Sequence, residues 1–222
     1  MISAIAFIML TMLIYWEAKR VYRLKPIVLL SPIILAPAIV ILVLVMGRIP
    51  YAEYNAGGRW LTDMIGPATI ALAVPFYKHL DVLKKHALAI VVGTIGGSLI
   101  GFGAAFALAR LLHLDHTLMS ELLLRSTTTA FAIVVSNQIG GVAAITAVIV
   151  MITGILGMVA GPYAIRAFRI RSDIAKGVVM GTSAHTAGAT RAFQMGEVSG
   201  SIATISMLVA AFFTLIVVPL LV

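Results

Sequence analysis

The hydrophobic positions of this chain form long runs instead of a short alternating pattern. Five runs contain at most one charged residue each: Ile2–Trp16, Ile27–Met46, Ala87–Leu112, Val142–Ile165 and Ser201–Val222. Runs of this kind reach or approach the roughly 20 residues that an α-helix needs to cross a bilayer. Transmembrane β-strands would instead give segments of about ten alternating residues. The pattern predicts an all-α, polytopic helical membrane protein with about six to eight membrane segments.

Three further apolar segments are interrupted by polar or helix-breaking residues. A glycine and prolines interrupt residues 63–77. Residues 122–141 carry the polar run Arg125–Thr129, and residues 174–196 carry a histidine, an arginine and several hydroxyl groups between glycines. Backbone this irregular is tolerated inside a membrane only where it is buried in protein or lines a wet cavity. We therefore expect the last two segments to be broken or re-entrant.

The composition supports a membrane protein. Of the 222 residues, 61% are hydrophobic and 11% are charged, whereas a soluble domain is about half apolar and a quarter charged. The formal charge is +8, and most basic residues lie in three short loops near positions 17–26, 78–86 and 166–176. This distribution is typical of cytoplasmic loops and not of a nucleic-acid surface. It predicts a lipid-embedded chain with its N-terminus outside.

The three basic loops constrain the number of crossings. If all three face the cytoplasm, an even number of crossings must separate any two of them. Two spans separate the first pair of loops, but three apolar segments separate the second pair, so one of these segments should not cross. Residues 122–141 are the most polar of the three. We expect them to enter the membrane and return, or to cross as a broken helix.

A weak internal repeat accompanies this arrangement. Gln138-Ile139-Gly140 matches Gln194-Met195-Gly196, 56 residues further along the chain, and an apolar span ending near a proline is found in both copies. A re-entrant segment plus one span makes an odd number of crossings, so the second copy would be inverted. Inverted repeats with broken helices are typical of secondary transporters. Chance similarity between two small-residue segments is the alternative.

These features predict a single membrane domain over residues 1–222. It comprises a peripheral N-terminal helix and basic loop (1–25), N-terminal helices (26–112) and candidate inverted repeats (120–165 and 177–222). Gly93, Gly97 and Gly101 repeat every four residues on one helix face. Such a face lets a neighbouring backbone approach closely, and helix packing alone accounts for it.

The two polar segments together form a cationic, donor-rich set of side chains if they face one cavity. An arginine presents a planar fork that matches a carboxylate, and helix N-termini add positive potential. A small hydroxylated carboxylate would satisfy this chemistry. The predicted substrate-binding residues are Arg125, Ser126, Thr127, Thr128, Thr129, Thr182, Ser183, His185, Thr190 and Arg191.

The same residues also have interpretations that involve no substrate. Either arginine would also be explained by snorkelling to an interface. His185 has an unperturbed pKa near neutrality, so it is a candidate for proton coupling, with Glu197 as a second candidate; the alternative is a neutral, structural hydrogen-bonding role. No cysteine, nucleophile–base pair, Walker loop or dinucleotide motif is found. We therefore expect no enzyme, no cofactor and no metal site.

Several motifs carry a family resemblance from about Pro32 to the C-terminus. They read Gly66-Pro67-Ala68-Thr69-Ile70-Ala71-Leu72-Ala73-Val74-Pro75, Gln138-Ile139-Gly140-Gly141, Thr153-Gly154-Ile155-Leu156-Gly157 and Gly181-Thr182-Ser183-Ala184-His185. Together they resemble the LrgB/CidB family. The resemblance implies a multi-pass protein of the bacterial inner membrane, a homo-oligomer, and an LrgA/CidA-like small membrane partner.

The resemblance implies two alternative functions. One is secondary transport of small 2-hydroxy or 2-oxo monocarboxylates such as glycolate, glycerate, lactate or pyruvate, since a related plant plastid protein carries glycolate and glycerate. The other is a holin/antiholin-like oligomer that modulates murein hydrolase activity and lysis. At Ala130 this chain lacks the proline that the family pattern has after its hydroxyl run. Either another residue supplies the break there, or the segment is straighter than in relatives.

Overall fold

A computed structural model of the chain describes residues 2–25, 30–64, 67, 70, 74, 77 and 80–221. These residues are helical almost throughout and contain no strand, so the all-α prediction is confirmed. The predicted segment 63–77, with the motif that starts at Gly66, lies mostly outside the described residues. The chain forms two compact units, residues 1–71 and 72–222, which are treated separately below.

The first unit contains three described helices: α1 (Ile2–Leu24), α2 (Pro32–Met46) and α3 (Tyr51–Asp63). The second unit contains six described helices: α4 (Leu80–Leu111), α5 (His116–Leu123), α6 (Thr129–Gln138), α7 (Ala143–Ala167), α8 (Asp173–Met195) and α9 (Glu197–Leu221). A 3-10 turn over Leu124–Ser126 joins α5 to α6. Three helices among the described residues are long and apolar enough to cross a membrane: 84–111, 143–167 and 197–221.

Two sequence expectations about the first unit were wrong. The near-balanced charge of residues 47–60 predicts a loop on the outer face, but most of these residues belong to α3, which packs on α1. Gly57 makes this contact because a Cβ atom there would overlap the carbonyl oxygen of Ala4. The basic residues after Trp16 were assigned to a loop, yet α1 continues through them to Leu24. Lysine and arginine are good helix formers, so charge alone did not end the helix.

Three helices stop in the same way. Residues Arg48, His113 and Arg169 follow the ends of α2, α4 and α7 with φ values of 50°, 51° and 53°. In each case the next residue, which is apolar, donates its N–H to a carbonyl five residues earlier, at 2.9–3.0 Å. This pattern satisfies carbonyls that the helix leaves unpaired. A basic side chain beside the negative end of a helix dipole adds to it.

Residues 116–138 double back on themselves and are called the first hairpin. Ser136 Oγ donates to Glu121 Oε1 at 2.9 Å although the two residues are 15 positions apart. An unbroken helix would separate such residues by about 22 Å. The reversal takes place in and just after the 3-10 turn, at residues 124–128.

Residues 173–195, assigned to α8, also double back and are called the second hairpin. A Cβ atom on Gly188 would overlap the carbonyl oxygen of Met180, which an uninterrupted helix would place about 12 Å away. Met180 also packs against Ala189 and Ala192 of the returning arm. The helical backbone is broken at Ala184 and His185. Both polar segments are therefore folded-back pairs of short helices.

Glycine faces on two long helices receive the second hairpin. On α4, a Cβ atom at Gly93 or Gly97 would lie 3.2 or 3.1 Å from side chains of that hairpin. On α7, Cβ atoms at Gly154, Gly157 and Gly161 would overlap His185, Ala184 and Met180. The regular glycine spacing thus lets the second hairpin pack closely against both helices.

We predict that Gly181→Ala destabilises the second unit by about 1–3 kcal/mol, because the new methyl group must displace the α9 backbone at Ala203. Gly96→Ala is the matched control. Nothing lies within 4 Å of a Cβ atom at Gly96, so the change should stabilise the helix by about 0.5–1 kcal/mol. Thermal unfolding in detergent measures both. Equal midpoints for the two variants would contradict the packing described here.

Candidate functional site

The tip of the second hairpin is a strained break held by side-chain contacts. Ala184 has φ −136° and ψ 15°, and His185 has φ 38° and ψ −126°. A positive φ is costly for a residue with a side chain, so the surroundings must fix it. The His185 ring is buried beside Gly154, and its Nε2–H donates to the carbonyl oxygen of Val150 at 3.0 Å. Val150 and Gly154 lie one turn apart on α7.

The tip of the first hairpin breaks without a proline. After the 3-10 turn, Thr127 has φ −106° and ψ 175°, and Thr128 has φ −74° and ψ 150° before α6 begins. Two extended residues are therefore enough to end one helix and start the next. The helix break is therefore present although Ala130 stands where the family pattern has a proline. The hydroxyl residues Thr127 and Thr128 supply the break.

The two tips lie next to each other. A Cβ atom at Gly97 of α4 would lie 3.1 Å from the Thr182 side chain, and one at Gly101 would lie 3.6 Å from Ser126 Oγ. Gly97 and Gly101 are one helical turn apart, about 6 Å. Val150 of α7 also touches both tips, since it packs with Leu124 and accepts the hydrogen bond from His185. The predicted juxtaposition of the two polar segments holds at this point.

Arg125 brings the only positive charge of the first hairpin to its tip, within the part of the chain that the structure describes. It is half buried, and its Nη2 donates to the carbonyl oxygen of Gly101 at 3.0 Å. A guanidinium group has five N–H donors, and that bond uses one of them. The described residues supply no acidic partner for Arg125. An anion close to Gly101 would find both charge and free donors.

Buried hydroxyl groups surround the tips. Thr127 and Thr182 belong to the two tips, and Thr94 and Ser98 flank Gly97 on α4. Together with Ser206 of α9, their oxygens have no hydrogen-bond partner among the described residues. Leaving one such group unpaired costs about 1–3 kcal/mol. A polar ligand or water at the tips would recover this energy.

The other hydroxyl residues that the sequence predicts to bind substrate have different surroundings. Ser126 is buried beside Gly101, Thr128 precedes α6, and Thr129 is its first residue. Ser183 and Thr190 are exposed and donate to carbonyls of their own helical arms, Ser183 to Val179 at 2.6 Å and Thr190 to Thr186 at 2.9 Å. These last two hydroxyls are therefore bound within the second hairpin.

Arg191 lies away from the tips. It is six residues beyond His185, about 9 Å along a helical arm, and its Nη1 donates to Gln194 Oε1. It lines a cavity of about 320 Å³ with Arg166 and Lys176. The structure thus divides the two predicted arginines between two places, Arg125 at the tips and Arg191 in a basic cavity at the base of the second hairpin.

The two proton-coupling candidates are also far apart along the hairpin. His185 is at the tip, whereas Glu197 is the first residue of α9, beyond the end of the returning arm. That arm contains about ten residues and spans roughly 15 Å. At the same base, Asp173 Oδ1 accepts from Lys176 Nζ at 2.8 Å and from Ser199 Oγ at 3.3 Å. The hydrogen bond from Lys176 lowers the pKa of Asp173.

One buried residue was not anticipated from the sequence. Glu121 of α5 has no exposed surface and joins the first hairpin to the start of α7. An acid inside an apolar run is a functional candidate in a membrane protein. Its position as the single acidic residue in the largely apolar run Leu118-Met119-Ser120-Glu121-Leu122-Leu123-Leu124 is the signal that could have identified it.

The chain is similar to known proteins over nearly its whole length. The sequence profile of the LrgB-like family matches residues 11–222. The uncharacterized protein YwbG of Bacillus subtilis (strain 168) is 46% identical over 221 residues, which cover 100% of this chain and 98% of that protein. An antiholin-like protein LrgB of Bacillus cereus (strain B4264) is 34% identical over 88% of this chain and 85% of its own length. No solved structure matches the chain.

We predict that Gly97→Cys with Thr182→Cys forms an intramolecular disulfide on mild oxidation. A Cβ atom at Gly97 would lie 3.9 Å from Cβ of Thr182, within the ~3.5–4.5 Å that a disulfide requires. The natural chain has no cysteine, so loss of maleimide labelling reports this pair alone. Gly96→Cys with Thr182→Cys is the control, and equal cross-linking of the two pairs would disprove the tip geometry.

Proposed function

The chain belongs to the LrgB-like family, and we propose that it is a secondary transporter of small 2-hydroxy or 2-oxo monocarboxylates such as glycolate, glycerate, lactate or pyruvate. One observation carries the proposal: two helix breaks, at residues 124–128 and 184–185, meet beside α4 and α7. Broken helices that meet inside a bundle are where secondary transporters bind their substrates.

The proposed topology is an inverted repeat of residues 120–165 and 177–222. Glu121 of the first hairpin bonds to Val142 at the start of α7, whereas Lys176 of the second hairpin lines a cavity with Arg166 at its end. The 25 residues of α7 span about 37 Å. The hairpins therefore enter from opposite ends of one long helix, which supports re-entry from the two faces of the membrane.

The course of α9 supports the same topology. Its early residue Ala203 packs with Met180 of the second hairpin, and its late residue Val218 packs with Leu123 of the first hairpin. The helix α9 thus passes from the second hairpin to the first, whereas α7 passes from the first to the second. Opposite directions for the two long helices are what an inverted repeat requires.

The proposed binding mode places the substrate carboxylate on Arg125. A planar guanidinium pairs well with a carboxylate, and charge-assisted hydrogen bonds are the stronger ones. The hydroxyl or keto oxygen of the substrate would bond to Thr127 and Thr182, whose oxygens have no partner among the described residues. The returning arms, α6 and residues 186–195, both begin at the tips, so their N-terminal N–H groups favour an anion there.

The proposed transporter has a membrane location, an orientation and candidate residues for coupling to protons. We assign the protein to the bacterial cell membrane as a multi-pass protein with its N-terminus outside, because basic residues follow the apolar part of α1 and the end of α7. His185 and Glu197 remain candidates for proton coupling, and a homo-oligomer and a small LrgA-like partner remain predictions.

A second candidate function comes from the names of relatives. The Bacillus cereus proteins that are 34% identical carry the name antiholin-like protein LrgB, which favours an oligomeric membrane protein of the holin/antiholin type that modulates murein hydrolase activity and lysis. Large apolar side chains such as Leu88, Ile100 and Leu156 are exposed on α4 and α7. They suit contact with lipid or with other copies, and so are compatible with either function.

We predict that Arg125→Gln lowers carboxylate uptake into proteoliposomes roughly 10- to 100-fold, because a hydrogen bond to a charged group contributes about 1.5–3 kcal/mol. The assay compares labelled glycolate, lactate and pyruvate with and without an imposed pH gradient. Arg171→Gln is the matched control, since Arg171 is exposed in the loop before α8 and should transport normally.

The same vesicles separate the two functions. A transporter leaves a trapped dye in place and saturates with substrate, whereas a holin-like oligomer releases the dye increasingly with protein density, regardless of Arg125. Wild-type protein that takes up none of the three acids, with or without a small partner protein, would contradict the transporter proposal. Wild-type uptake by Arg125→Gln would remove Arg125 from the site.

A further inference from the structure

A carboxyl group with no exposed surface lies between the two arms of the first hairpin. Glu121 Oε1 accepts hydrogen bonds from Ser136 Oγ at 2.9 Å and from the backbone N–H of Val142 at 2.6 Å. Its other oxygen, Oε2, is in close contact with the hydroxyl of Thr146. Gly141 makes room for this cluster, since a Cβ atom there would overlap Glu121 Oε1.

No described basic side chain lies within ion-pair distance of Glu121. The helix α6 has no charged residue, and the only charged residue of α7, Arg166, is at its far end. On α4, Arg110 lies over the Phe106 ring at 5.3 Å, and Arg125 bonds to the carbonyl oxygen of Gly101. The remaining titratable groups next to α5 are all exposed: His113, Asp115 and His116. Burying a carboxylate without a cation is costly, and an acid buried inside a membrane protein is a functional candidate.

The hydrogen bonds around Glu121 suit both of its charge states. In the ionised state, Ser136, Val142 and Thr146 all donate to it. In the protonated state, Oε2–H donates to Thr146 Oγ1, whose own hydrogen turns to the carbonyl oxygen of Val142, 3.2 Å away. The N–H of Val142 still donates to Oε1. One proton can therefore be added or removed without leaving a buried donor unpaired, which would cost about 1–3 kcal/mol.

We propose that Glu121 is the proton-binding site that couples substrate movement to a pH gradient. The inference rests on the proposed transport function, and it replaces His185 and Glu197 as the coupling group. Glu121 precedes Arg125 by one helical turn, so the proton site and the anion site belong to the same hairpin. Protonation removes the negative charge that holds Ser136 and the positive end of α7, which loosens the first hairpin from α7.

Glu121 could instead serve only to anchor the start of α7, and the variant Glu121→Gln distinguishes the two roles. The amide has nearly the shape of the protonated acid, with an oxygen that accepts from Val142 and an NH₂ group that donates to Thr146. An anchoring role would survive this change, whereas a proton site would be lost.

The first experiment needs no substrate. Infrared difference spectra of the purified wild-type protein between acidic and alkaline pH should show the C=O stretch of a buried protonated carboxyl group. Glu121→Gln should lose this band, and Glu53→Gln, at an exposed carboxylate of α3, should retain it. A band that persists in Glu121→Gln shows that another carboxyl group takes up the proton and overturns the inference.

The second experiment uses proteoliposomes and whichever of labelled glycolate, lactate or pyruvate the wild type accumulates. A gradient of one pH unit sustains roughly a tenfold accumulation for one proton per substrate. Glu121→Gln should lose this accumulation yet exchange internal for external substrate at a rate independent of pH. Glu53→Gln, at an exposed residue with no assigned role, should accumulate like the wild type.

Three transport results would overturn the inference: accumulation by Glu121→Gln, loss of exchange together with accumulation in folded Glu121→Gln, or loss of coupling in Glu197→Gln alone. If wild-type vesicles transport none of the three acids, the proposed function fails, and the infrared spectra still decide whether Glu121 binds a proton. The two failures are thereby distinguishable.

Discussion

A helix broken among apolar neighbours leaves backbone N–H and C=O groups without partners, and the second unit is arranged around that constraint. Water cannot satisfy such groups inside a bilayer, so protein must enclose them. The chain brings its two breaks together and presses them against α4 and α7. Glycines such as Gly97, Gly101 and Gly154 make this approach feasible, since any side chain at Gly154 would collide with His185.

The same enclosure sets the chemistry of the site. Apolar helices surround Arg125, His185 and the unpaired hydroxyls, so a charge there is poorly screened and interacts strongly with its neighbours. His185 donates its ring Nε2–H to the carbonyl oxygen of Val150, and this hydrogen bond holds the tip of the second hairpin against α7. Arg125 retains free donors, and it is the group best suited to an anion.

Much of the architecture follows from the sequence because its signals are local. Apolar run length identifies α4, α7 and α9, and the polar residues inside apolar runs mark both breaks. The failures involve partners that are distant along the chain. The helix α3 forms because Gly57 packs on α1, and Glu121 bonds to residues 15 to 25 positions away. Likewise, only the folding back of the second hairpin brings Arg191 to a cavity that Arg166 and Lys176 also line.

The single residue Gly196 joins the second hairpin to α9. On either side of it, Ser199 lies against Gly177 and the ring of Phe193 lies against Gly200. Because the connection is a single residue and the segments on both sides of it are in contact, the second hairpin and α9 form one rigid block. The first hairpin has longer connections, residues 112–115 and 139–142. The first hairpin is therefore less tightly tied along the chain to its neighbours, and it meets that block where the rings of Phe131 and Phe212 pack edge to face.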